Sequence, residues 1–111
     1  MAPERGASLF RLHCASCHGV EGKGDGEMAQ YLKVAPTDLT RLGERPQGVD
    51  RAWLATVIDG RQKVRGHGST RMPVWGMSFA ADLSGREDVV QQLVNDLADY
   101  VYGLQSSEAE R

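Results

Sequence analysis

Cys14, Ala15, Ser16, Cys17 and His18 read C-x-x-C-H, the spacing at which a haem is attached covalently to a chain. Two thiols so placed can form thioethers with the two vinyl groups of one haem, while the neighbouring imidazole lies beneath the ring and ligates the iron. The chain has two cysteines in all, so neither is left over for another task. Three other chemistries use similar residues. A redox dithiol calls for a βαβ setting, whereas His18 is followed by a glycine-rich stretch, Gly19, Gly22, Gly24 and Gly26, with no strand pattern. A zinc site needs four ligands, and His13 and His67 do not supply a second close pair. A disulfide between Cys14 and Cys17 would close too small a loop to define a fold and would give His18 no role.

Helices must position this motif. Over residues 3–14, Pro3 suits a first helical turn and Glu4 its positive end. Gly6 and Phe10 share one face, with Leu9 beside them. A glycine within a helix costs about 1 kcal/mol against alanine, so Gly6 predicts a second backbone crossing closely there. Near the other end, Val90, Leu93, Val94, Leu97, Val101 and Leu104 form an apolar stripe, with Gln91, Gln92, Asn95, Asp96 and Asp99 predicted to face outward. Ser84 and Glu87 have the spacing of a capping box, and Gly103 marks an end. Tyr100 flanks the stripe, where its ring can meet Gly6 and Phe10. The polar tail, residues 105–111, is expected to fray.

Two weaker helical patterns lie between. Residues 27–33 carry Met28, Tyr31 and Leu32; residues 51–59 carry Trp53, Leu54, Val57 and Ile58, with Asp50 as N-cap and Gly60 as stop. Residues 34–48 and 61–85, rich in Pro, Gly, Thr and Ser, are predicted as long loops. Loops of that length in a small domain are functional or packed on something, and a haem edge would serve. There is no repeat, no second C-x-x-C-H and no alternation strong enough to build a sheet.

The length of 111 residues bounds a single domain, residues 1–111. With 41% hydrophobic and 6% aromatic residues, a core of protein alone would be thin, and a buried haem would add a large flat apolar body. The formal charge of −2 argues against a nucleic-acid binder, which shows a basic patch or stripe. No apolar run approaches the roughly 18 residues that span a bilayer. Met1, Ala2, Pro3, Glu4 and Arg5 lack the apolar centre of a secretory signal.

The N-terminal helix, the haem motif, the long loops, a methionine past mid-chain and the amphipathic last helix together resemble the class I c-type cytochromes. The similarity runs over residues 6–104 and rests on Gly6, Phe10, Cys14, Cys17, His18, Pro36, Met72, Pro73, Trp75 and Tyr100. It implies an all-α, small cytochrome c fold: N- and C-terminal helices crossing, with short helices and long loops wrapped around one covalent haem c. The ordered core is expected over residues 3–104. The resemblance also implies attachment outside the cytoplasmic membrane, hence a periplasmic or equivalent location with a targeting segment removed.

Cofactor contacts follow as expectations. By resemblance, the carbonyl of Pro36 accepts the outer ring proton of His18. The sixth ligand is expected to be Met72, since a methionine followed by Pro73 and Trp75 looks like the family's ligand loop, and a thioether suits ferrous iron. Met77 is the runner-up, with packing beside Phe79 as its other role; His67 is a third candidate, and Met28 is expected in the core. Trp53, Arg61, Lys63, Arg65 and Trp75 are candidates to meet haem propionates. An iron closed on both sides has no open position for substrate but can change oxidation state, so electron transfer is the expected function. The chain would be a carrier, or a haem subunit of an oxidoreductase complex, between donor and acceptor redox proteins, and not an enzyme alone. If the sixth ligand were labile, a gas sensor or a minor peroxidase would be the alternative.

Overall fold

The computed structural model describes residues 2–33, 35–61 and 74–105. All regular structure among them is helical: α1 (Ala2–His13), α2 (Ala15–His18), α3 (Arg51–Asp59), α4 (Trp75–Asp82) and α5 (Glu87–Gly103), with 3-10 turns at Ala29–Tyr31 and Leu39–Glu44. The all-α cytochrome c fold expected from the sequence is the one observed.

The crossing of α1 and α5 forms the centre. A methyl group on Gly6 would lie 2.5 Å from the carbonyl oxygen of Asp96 and 3.0 Å from Cβ of Tyr100, so only glycine lets the two backbones approach. Phe10, fully buried, meets the Tyr100 ring at 5.1 Å between centroids. Burying such a ring contributes about 2–3 kcal/mol. The predicted stripe holds, with Val90, Val94, Leu97 and Val101 buried and Leu93 and Leu104 packed at its margin.

Asp96 departs from the expected outward face. It is 1% exposed and pairs with Arg5 of α1, while Gln92 donates to it at 3.0 Å. A carboxylate can enter the crossing because α1 brings a guanidinium to it; without such a partner its burial would be costly. This cation lies far off in sequence, which is why helical periodicity alone assigned Asp96 to solvent.

The start of α5 also differs. Ser84 has φ +54° and Gly85 φ +75°, so Ser84 belongs to a left-handed turn and forms no capping box. Arg86 occupies the N-cap position without a side-chain cap, and Glu87 turns to Arg61 instead. α3 agrees with its sequence signals: Asp50 accepts from the Trp53 amide at 2.7 Å, and Gly60, at φ +72°, closes the helix. The predicted helical pattern over 27–33 is reduced to one 3-10 turn. Two predicted loops contain structure, namely α4 and the turn Leu39–Glu44. Gln105, expected to fray, is anchored: its amide donates to the carbonyls of Leu39 and Val101 and accepts from the Gly43 amide.

Candidate haem-attachment site

The haem motif occupies the single turn that follows α1. The amide of Cys14 still donates to Phe10, as in a continuing helix, and His18 donates to the carbonyl of Cys14 at 2.9 Å. This turn carries Cys14, Cys17 and His18 together, and both cysteines are free. Cys14 is 8% exposed, and burial pushes its thiol up to about 12.

Such a short helix leaves its last carbonyls without intrahelical donors. The glycine-rich stretch supplies them: Met28 donates to Ser16, Gly26 to Cys17 and Gly24 to His18, at 2.8, 3.0 and 2.7 Å. A side chain at Gly26 would run into the Ser16 carbonyl, and one at Gly24 would lie 2.6 Å from the Pro36 carbonyl. The glycines therefore let this loop lie between the motif and residues 36–39. Leu39 donates to Gly22 at 2.6 Å on the far side.

That layering places a carbonyl beside His18, but it is the carbonyl of Thr37, 3.0 Å from Nδ1. The Pro36 carbonyl faces Gly24, so the acceptor lies one residue past the expected one. Asp38 fixes the chain just beyond, accepting from the amide and hydroxyl of Thr40 at 2.9 and 2.6 Å. Because a carbonyl only accepts, Nδ1 carries the proton and Nε2 keeps its lone pair. Burial lowers the pKa of His18 against the opposing effect of the Thr37 bond, which favours the neutral form that can ligate a metal. Two free thiols and a neutral, oriented imidazole on one turn fit a haem c.

The other expected contacts are dispersed. Trp53, half-buried on α3, lies under the guanidinium of Arg45, 3.8 Å from the ring centroid, and Arg45 donates to the Gly48 carbonyl. Arg45 was not singled out in the sequence, where nothing marks an arginine eight positions before a tryptophan as its stacking partner. Trp75 packs on α1 and within α4: its ring is 5.0 Å from that of His13 and 5.8 Å from that of Phe79. Arg61 sits in an ion-pair cluster, its guanidinium donating to both oxygens of Asp59 and both of Glu87, at 2.7–2.9 Å. Met77 is 63% exposed on α4 and Met28 44% exposed, so neither packs in the core. Met72, Lys63, Arg65 and His67 lie outside the described residues.

Large apolar side chains stay exposed on either side of the motif in the chain. Leu12 precedes it, Val20 follows it, and Met28, Tyr31 and Leu32 come from the segment that bonds to its carbonyls. A flat apolar cofactor, or the surface of a partner, is what such residues suit.

The fold and this turn are those of a c-type cytochrome. The cytochrome c family model matches residues 3–105, and the chain belongs to that family. It is thus a carrier of covalently attached haem c, whose work is haem-based electron transfer. No curated protein and no solved structure matched the chain. Among the described residues no helix is long and apolar enough to cross a membrane.

Proposed function

We propose that this chain moves single electrons between two redox proteins outside the cytoplasmic membrane, with one haem joined to Cys14 and Cys17 and its iron held by His18 and Met72. The observation that carries this reading is the His18–Thr37 hydrogen bond. It orients the imidazole and leaves Nε2 as the donor, as metal-bound histidines require. The haem supplies the redox couple; the chain supplies attachment, orientation and burial. Cys14 and Cys17, both free thiols, would hold the haem by adding across its two vinyl groups, an addition that needs no oxidant.

Met72 completes the reading on the strength of the run Met72, Pro73, Val74, Trp75, which looks like the family's ligand loop. Held by His18 and Met72, the haem would supply a one-electron couple with no position left open for dioxygen or peroxide. Trp53 and Trp75 remain candidates to line the haem. The test is the visible spectrum of the oxidised protein, wild type beside Met72→Ala. A weak sulfur-to-iron charge-transfer band present in the first and absent from the second supports His/Met ligation. A band surviving in the variant points to Met77. No band in wild type, with carbon monoxide binding readily to the reduced protein, moves the gas sensor or peroxidase to the front.

A further inference from the structure

The carbonyl that orients His18 belongs to an exposed residue. Because Thr37 faces solvent, packing of its side chain does not fix the peptide unit that carries the oxygen. That planar unit ends at the Asp38 nitrogen, so the torsion φ of Asp38, −72°, sets where the oxygen points relative to the chain that follows. The chain that follows is anchored: the Leu39 amide donates to Gly22 at 2.6 Å, and the Leu39 carbonyl accepts from the Gln105 side chain at 2.8 Å. Asp38 is therefore the joint between a fixed residue and the acceptor of the His18 bond. Its carboxylate locks that joint, one oxygen taking both the amide of Thr40 at 2.9 Å and its hydroxyl at 2.6 Å.

We infer that Asp38 is a positioning residue for the histidine ligand: by accepting both bonds from Thr40, its carboxylate holds the Thr37 carbonyl at Nδ1 of His18. This rests on the reading of His18 as the iron ligand. A side chain that caps the turn after it restricts its own residue to an extended conformation, here φ −72° and ψ 106°. Without that restriction the unit joining residues 37 and 38 can turn its oxygen to water. The outer hydrogen bond of a metal-bound histidine fixes the ring and raises its basicity, so a looser bond leaves a weaker donor to ferric iron. Asp38 is also a negative charge, and the two roles separate. Asparagine presents the same oxygen to Thr40 without the charge, whereas alanine removes both.

The experiment is proton NMR and voltammetry of the holoprotein. In the ferrous state the ring protons of a histidine beneath the haem move far upfield, and exchange of the Nδ1 proton with deuterium reports how often its bond to Thr37 opens. Asp38→Ala is expected to exchange this proton about fivefold faster than wild type, the factor that loss of an ordinary cap produces. Its ferric-to-ferrous ratio at a fixed applied potential should fall, by about fivefold if the bond is lost outright. Asp38→Asn should exchange as wild type does and move that ratio less than Asp38→Ala. Thr40→Val removes the hydroxyl but keeps the amide and the Asp38 charge; it should lie between wild type and Asp38→Ala, and it decides the matter if Asp38→Ala fails to fold. Upfield His18 protons together with wild-type exchange in Asp38→Ala and Thr40→Val overturn the inference alone. Asp38→Asn matching Asp38→Ala in both readouts also overturns it, by making charge the cause. His18 protons without the upfield shift overturn this inference and the His18 reading together.

Discussion

Thr37 holds His18 through its backbone: the carbonyl oxygen lies 3.0 Å from Nδ1, where no exchange of the threonine side chain can remove it. The His18 imidazole is therefore oriented by the path of the chain over residues 36–39, and that path depends on the absence of a side chain at Gly24.

Gly24→Ala tests this dependence. A methyl there would lie 2.6 Å from the Pro36 carbonyl, at a φ of +86° that alanine resists. Pushing the segment outward weakens the bond from His18, making the imidazole a poorer donor to ferric iron. The reduction potential of the holoprotein should rise, by ~40 mV if about 1 kcal/mol of hydrogen bonding is lost from the ferric state alone. Voltammetry of the two proteins checks it, and an unchanged potential would mean that the Thr37 bond does not tune the iron.

Gly6→Ala addresses the helix crossing. The added methyl would meet the Asp96 carbonyl at 2.5 Å, so α1 and α5 must separate. The expected loss is about 1–3 kcal/mol, the range for overpacking a close contact. Denaturant unfolding should show a lower midpoint with an unchanged slope.

Acid should loosen the Arg61 cluster. Hydrogen bonds from Arg61 hold the carboxyls of Asp59 and Glu87 below their ordinary values of 3.8 and 4.5. Groups whose folded pKa is depressed stabilise the fold fully above the unfolded value, and this contribution is lost as pH falls through the folded value. Wild type should therefore lose stability more steeply than Arg61→Gln as the pH drops below about 4.5. Thermal unfolding across that interval measures the difference, and parallel curves would show that the cluster contributes nothing to acid stability.

The thioethers can be counted chemically. Cys14→Ala or Cys17→Ala leaves one vinyl group unsaturated, so the pyridine haemochrome band should move to longer wavelength while the haem stays attached. The double substitution should release all haem into acidic acetone. Retention of haem by the double variant would mean that other atoms hold it.

The parts legible in the sequence were those fixed by local chemistry or a single helical face. Asp50 and Gly60 bound α3 as a cap and a left-handed stop must, and Gly6, Phe10 and Tyr100 announced the crossing because a buried glycine needs a reason. The motif itself was legible because three reactive groups on one turn have few other uses.

What escaped depends on partners distant in the chain. Asp96 is buried because of Arg5, and Glu87 was drawn from Ser84 by Arg61. α4 was hidden by Gly76, which looks like a breaker in sequence but is the one residue thin enough to pass over the Asp59–Arg61 pair. Trp75 and Phe79, four apart on one face, were the available sign of that helix. The choice of Thr37 over Pro36 turned on which carbonyl the glycine-rich loop blocks, a matter of three stacked segments rather than of any residue type.

The carbonyls behind the haem motif are capped entirely by backbone amides, those of Gly24, Gly26 and Met28. The outward side chains of the same stretch, Val20, Glu21 and Lys23, are exposed and take no part in that capping. Evolution can therefore rewrite the skin of this loop, its charge and its greasiness, while the turn that carries Cys14, Cys17 and His18 keeps its backbone bonds.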